Sequence, residues 1–398
     1  MIRLKYLARF QKGRIPPELF EEQNTSQAPY LSMEYLRNQT NSPEFANIEG
    51  AVIAKDGDTI LLWDGSNAGE FIKAKHGIVS STAALVNVSN VEKGYFFYLC
   101  KSLEPRIRAE TVGMGIPHVS GEFVGNLEIE LPPEDIQKKV TSYLDWHIGR
   151  LDTLIAEKQQ LLELLVEKCR SLLTHVVTQG LYPDVSCCDS GIPWLGNIPA
   201  HWQTSRIAWL FRERDERSQP NLPLLEVSIH GGVRLREFSD VRIEQVAADS
   251  NSYKVARKGD ISFNKMRMWQ GAVGHVPCDG LVSPDYVVAD PIAPVNPVYY
   301  GLLFRTPALS AEAGSRSHGI VWDRLRLYWE EFRDIAVPVP PLTEQDEIVE
   351  FVHNENSKIA LLAEATERTI ALLQERRSAL ISAAVTGQLI VEESHACG

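Results

Sequence analysis

"LPPEDIQKKVTSYLD" (131–145) and "VPPLTEQDEIVEFVH" (339–353) open the same kind of helix twice in one chain. In each, a Pro-Pro pair closes an extended segment, because proline lacks a backbone donor and disfavours helix in the residue before it. A shift of 208 (341 − 133) lays Pro133–Leu181 onto Pro341–Leu389 without a gap. Identities fall at Gln137/Gln345, Leu164/Leu372, Leu165/Leu373, Glu167/Glu375, Leu172/Leu380, Val177/Val385, Thr178/Thr386 and Leu181/Leu389. Register held over that length marks a duplication. Each copy reads as one helix of about 45 residues, roughly 70 Å at 1.5 Å per residue.

A helix that long needs a partner for its apolar stripe. Ile148, Ile155, Leu162, Cys169 and Val176 fall on one heptad position, and Leu144, Leu151, Leu165 and Leu172 on the other. Only Thr141 and Lys158 are polar on that seam. The second copy carries Val349, Val352, Ile359, Ala363, Ile370, Leu373, Leu380 and Ala384 in the same register. Two such seams in one chain predict that the helices pair with each other, antiparallel, about a pseudo-two-fold axis. Lys158 is expected to reach Glu364 or Glu367.

The segments before the helices repeat more loosely. Arg3 and Leu7 match Arg206 and Leu210, "KDGD" (55–58) matches "RKGD" (257–260), "GIVSS" (77–81) matches "GLVSP" (280–284), and Gly115-Ile116 matches Gly319-Ile320. Short apolar runs broken by Gly, Asp and Pro, among them "TILLW", "DISFN" and "DYVVAD", read as strands with turns. The predicted class is α+β: two β-rich recognition domains separated by two long helices packed as an antiparallel coiled coil. The predicted boundaries are a first domain at 1–133, helix 134–180, a Gly/Pro/Ser linker with a Trp anchor at 181–202, a second domain at 203–341, helix 342–389 and a tail at 390–398.

Composition sets the outer limits. The 398 residues exceed one compact domain, 44% are hydrophobic, and the net charge is −12. That charge argues against a uniformly basic coat for nucleic acid but leaves room for a local patch. Acidic residues gather at Glu344, Asp346, Glu347, Glu350, Glu355, Glu364 and Glu367, whereas "RKGDISFNKMRMWQG" brings cations to the middle. No apolar run approaches the roughly 18 residues of a membrane helix, and the N-terminus is too polar for a signal peptide. The expected location is cytoplasmic. The six cysteines show no metal-ligand spacing and read as reduced thiols.

"LPPEDIQKKV", a long helix, "VTQGL", "SGIPWLGNIPAHW", then "VPPLTEQDEIV", a long helix and "VTGQL", taken in that order, resemble the specificity subunit of type I restriction-modification systems. The resemblance covers nearly the whole chain. It implies two target-recognition domains held apart by antiparallel conserved helices, each reading half of a split asymmetric site in double-stranded DNA. It also implies docking of two methyltransferase (modification) subunits, with restriction and translocase subunits joining through the complex. S-adenosylmethionine, ATP and magnesium are then expected in those partners only, and no cofactor in this chain. One departure is that nothing before Arg3 corresponds to "GIPWLGNIPAHW".

Candidate DNA contacts are polar, basic and aromatic residues in turns near the matched positions. In the first domain they are Lys12, Arg14, Trp63, Ser66, Asn67, Ser80, Ser81 and His118. In the second they are Arg214, Arg217, Arg234, Arg236, Asn264, Lys265, Arg267, Trp269, Gln270 and His318. Arginine suits guanine edges and phosphates, and Asn or Gln suits adenine. Each of these residues would otherwise be a solvated surface group, and Trp63 and Trp269 read first as core or support residues. "NKMRMWQG" (264–271) is the most concentrated cluster.

Catalytic motifs are missing from the sequence. There is no phosphate loop followed by Lys, no His-Glu-x-x-His, no Gly-x-Ser-x-Gly and no Asn-Pro-Pro-aromatic motif; "VNPVYY" (295–300) lacks the second proline. The expected role is therefore non-catalytic and metal-free. A second reading stays open: a coiled-coil scaffold whose two β-rich domains bind proteins or glycans.

Overall fold

The computed structural model describes residues 1–111, 117–217, 219, 221–229, 231–236, 252–319 and 325–389. The matched Gly115, Ile116 and Ile320, and the tail 390–398, lie outside them. The chain divides into two compact units, one made of Met1–Gln159 with Glu367–Gly398 and the other of Gln160–Thr366.

Both long helices form, over Glu134–Gln179 and Leu342–Val385. Each unit holds a half of each. In the first unit Leu144 and Ile148 share a core with Ile381 and Ala384, and Leu151 and Leu380 both pack against that core. Asp152 accepts there from Arg377 at 2.7 Å. In the second unit Val176 shares a core with Ile348 and Val352, and the Cys169 thiol donates to Asn356 at 2.8 Å. Residue numbers rise on one helix as they fall on its partner, so the pairing is antiparallel. Lys158 is half-buried and makes no ion pair among the described residues, in place of the expected link to Glu364 or Glu367. The buried polar group of the seam is Thr366, whose hydroxyl bonds back to the Leu362 carbonyl.

The repeated glutamine has a physical reason. Gln137, only 4% exposed, donates to the Pro132 carbonyl at 2.8 Å and accepts the Glu92 backbone N–H at 2.9 Å. Gln345, 1% exposed, donates to the Pro340 carbonyl at 2.8 Å and accepts the Asn296 N–H at 2.8 Å. Glu92 and Asn296 are the N-caps of the helices Lys93–Ala109 and Pro297–Leu303. One side chain thus ties the start of a long helix to the start of a domain helix, and the arrangement occurs twice. The far helix ends match as well: Tyr95 donates to the Val385 carbonyl and Tyr299 to the Val177 carbonyl.

The domains repeat the same sheet. Ala8–Lys12, Ala83–Val88, Thr59–Leu62 and Phe71–Lys73 lie side by side in that order in the first. Phe211–Glu213, Tyr286–Pro291, Ile261–Asn264 and Val273–His275 do so in the second. Every pairing within the two sheets is antiparallel. The matched "KDGD" and "RKGD" are the turns leading into the strands that begin at Thr59 and Ile261. Gly57 and Gly259 adopt φ of 81° and 94° there, a region that disfavours side chains.

The stretch expected as a linker is folded. Cys187–Asp189 pairs with Asn197–Pro199. Leu195, Ile198 and Trp202 are buried in the second unit's core, with the Trp202 indole donating to Glu344 at 2.9 Å. Among the described cysteines none forms a disulfide.

Replacing Gln137 or Gln345 with Leu leaves a buried carbonyl and a buried N–H without partners. Each change should cost about 2–3 kcal/mol. Urea unfolding of the two single variants checks this, and an unaltered midpoint would remove the glutamines from the folding account.

Candidate nucleic-acid interface

In the first domain Ala8–Lys12 and Thr59–Leu62 finish at one end of the sheet, where Phe71–Lys73 and Ala83–Val88 begin. Backbone hydrogen bonds fix the chain at that edge. The Trp63 and Asp64 N–H groups donate to the Thr82 carbonyl at 2.8 and 3.1 Å, Gly65 to Pro117 at 2.9 Å, and Val119 to Trp63 at 2.9 Å. Gly13 passes so close to the Val79 and Ser80 carbonyls that a Cβ there would clash with both oxygens. Such a platform holds side chains on rigid elements.

The predicted first-domain residues gather at this edge but are not equivalent in availability. Arg14, Ser66 and His118 are exposed, and Asn67 and Ser81 are half-buried. Lys12 pairs with Asp64 at 2.6 Å. Trp63 packs edge-on against Phe10, with ring centroids 5.8 Å apart, and supports the platform. Ser80 is buried and hydrogen-bonded to the Thr82 hydroxyl at 3.1 Å. Thr82, absent from the sequence-based set, is the exposed member of that pair.

The second domain builds the corresponding edge around "NKMRMWQG". The Asn264 side chain accepts from the Met266 N–H at 2.9 Å, the Trp269 indole donates to the Met266 carbonyl at 3.1 Å, and Gly271 closes the loop at φ 87°. Arg267 and Gln270 project outward, whereas Trp269 is half-buried. Leu327 donates to the Lys265 carbonyl at 2.9 Å, as Val119 does to Trp63. Lys265 lies over the Tyr328 ring at 5.7 Å. That alignment sets Arg326 where the first domain has His118. Arg326 is exposed and was missed in the sequence because its place at this edge comes from the Leu327–Lys265 hydrogen bond and not from a local pattern. Its backbone bridges to His318, whose ring pairs with Glu331 at 3.1 Å. Burial raises the Tyr286 pKa, with the charges of Arg236 and Arg267 acting against it.

Other predicted cations are used internally. Arg217 grips Asp215 through two nitrogens at 2.9 and 3.2 Å and Arg234 pairs with Glu226 at 2.6 Å, both near the surface. Arg214 turns back toward the opposite end of the sheet. It contacts Asp260 at 2.9 Å and Asp290 at 2.9 Å, and Asp260 is 2% exposed. Burial opposes the Arg214 charge, but the Asp260 hydrogen bond and the surrounding carboxylates outweigh it and raise its pKa. No group of three or more His, Cys, Asp or Glu residues among the described residues could hold a metal ion. No helix of the described residues is long and apolar enough to cross a membrane.

Residues 1–164 match the family model described as type I restriction modification DNA specificity domain. The match spans the first predicted domain and the opening turns of the first long helix. The type I restriction enzyme MjaVIII specificity subunit of Methanocaldococcus jannaschii is 32% identical over 209 residues, 52% of this chain and 48% of that protein. The chain thus spans about half the length of that relative. The type I restriction enzyme EcoBI specificity subunit of Escherichia coli is 20% identical over 333 residues, 77% of this chain and 68% of that one. A solved structure concerned with complex assembly and conformational transition of the type I R-M system superposes with a TM-score of 0.67 at 17% identity, covering 98% of this chain and 97% of its own. That likeness shows the shared fold.

Two substitutions separate support from contact. Arg214→Ala strands a buried carboxylate and should cost about 2–3 kcal/mol in thermal unfolding. Arg267→Ala should leave stability within about 0.5 kcal/mol while lowering the salt dependence of duplex binding by about one unit of slope. Identical stability losses would erase the distinction.

Proposed function

We propose that this chain is the non-catalytic, sequence-reading subunit of a type I restriction-modification complex in the cytoplasm. Each domain's sheet edge takes one half of a split asymmetric site in double-stranded DNA. The single observation carrying this is that two domains with little sequence in common build the same edge: a backbone N–H on a late segment, Val119 or Leu327, caps the strand end at Trp63 or Lys265. Polar and basic side chains then project from both edges. Arg14, Ser66, Ser81, Thr82 and His118 are the contacts of the first, and Arg236, Lys265, Arg267, Gln270 and Arg326 those of the second. Arginines serve guanine edges and phosphates, and the hydroxyls and amides serve the remaining edges and phosphates.

The long helices take two modification subunits, which bring S-adenosylmethionine and methyl transfer; ATP and magnesium serve the translocase partners. Exposed leucines support this. Leu154 and Leu372 lie on the helices of the first unit, Leu164 and Leu362 on those of the second. The repeat relates Leu154 to Leu362 and Leu164 to Leu372, each by 208 positions (362 − 154 and 372 − 164). Apolar surface kept at duplicated positions suits two copies of one partner.

Methylome sequencing with and without the gene should reveal one split motif that depends on this chain. Binding of the purified protein to duplex DNA should weaken linearly in log salt. A scaffold for proteins or glycans would show neither. Mass measurement of the co-expressed complex should give one copy of this chain to two modification subunits, and a stable one-to-one complex with partner in excess would contradict the docking reading.

A further inference from the structure

We infer that Asp64 is a specificity-determining residue of the first domain, an acceptor that reads one base-edge amino group, with Lys12 as its positioning partner. The inference rests on the DNA-reading function proposed above. Asp64 sits at the centre of the first edge, its N–H bonded to the Thr82 carbonyl at 3.1 Å and its backbone bridged to His118. One carboxylate oxygen, Oδ2, is held by the Lys12 ammonium at 2.6 Å, and the other makes no hydrogen bond among the described residues. A carboxylate facing a polyanion is unfavourable, and a surface meant only to grip phosphates would omit it. A carboxylate is, however, the group that accepts from the exocyclic amine of cytosine, or from that of adenine, in the major groove.

The fold itself does not require this carboxylate. The Val119-to-Trp63 and Leu327-to-Lys265 hydrogen bonds align the two edges, and that alignment sets Met266 where the first domain has Asp64. The second edge therefore closes without an acid there. Lys12 answers the electrostatic problem: it neutralises Asp64, holds one oxygen in place and leaves the second free for a donor. Of its three ammonium hydrogens, two stay available to phosphate or solvent.

The test replaces the chromosomal gene with Asp64→Asn and maps methylated sites; in parallel, the purified full chain selects binders from a randomised duplex pool. Asparagine keeps the shape but turns an acceptor-only group into a mixed donor and acceptor. The expected result is loss of preference at one position of one half-site, by about tenfold or more, with the other half-site unchanged and the melting temperature retained. Lys12→Ala should slow methylation while keeping preference at that same position. An unaltered motif in both assays would overturn the proposal, as would equal weakening at all positions. Unfolding of Asp64→Asn would also overturn it, because the pair would then be structural. If the wild-type chain supports no split motif and selects no sequence, the function proposed above fails instead, and that outcome is told apart by the wild type alone.

Discussion

A helix of 46 residues cannot bury its apolar stripe in its own turns, and the rest of this molecule follows from how that stripe is covered. The cover is a second helix of 44 residues descended from the same ancestral segment. Because the pairing is antiparallel, the start of one helix meets the end of the other. Each meeting point supplies a site where a β-rich domain can attach: a glutamine at the helix start and a tyrosine-bonded carbonyl at the helix end. The domains are thus held by their helices at both points, and their sheet edges are free to diverge.

The helices and the duplication were legible because their signals are local or periodic. Proline pairs, heptads and a shift of constant length need no knowledge of the fold. Strand order was not legible, since strands of two to six residues pair with partners far along the chain and register is fixed only by packing. Residues 181–202 read as a linker from their Gly, Pro and Ser content. Trp194, Leu195 and Ile198 nevertheless anchor them, because a few apolar residues in a turn-rich stretch are enough to fasten it. Lys158 on the seam suggested an ion pair, whereas Thr366 meets the same need for a tolerable buried polar group through its own helix backbone.

The candidate site divides along the same line. "NKMRMWQG" announced itself by density of cations and amides, and it forms an edge loop. Arg214 and Ser80 have the chemistry of contact residues, yet the first is bound to buried Asp260 and the second to Thr82. Nothing in a single sequence separates a guanidinium that faces solvent from one that neutralises a carboxylate 46 positions away. Thr82 and Arg326 were passed over for the converse reason. Their importance comes only from the strand ends that the hydrogen bonds bring alongside.

The division into units also bears on the order in which the protein is made. The second unit is one uninterrupted stretch, Gln160–Thr366, while the first combines the chain's beginning with its last residues. Tyr95 waits for a carbonyl partner 290 positions later. On the ribosome, the stretch synthesised second has all its segments at hand before the stretch synthesised first does. Until Ile381, Ala384 and Val385 emerge, the first domain's core lacks a wall and leaves apolar surface for chaperones to cover. The N-terminal domain is therefore the last to close, and a chain that stops short of its final helix turns leaves that domain, rather than the nearer one, unfinished.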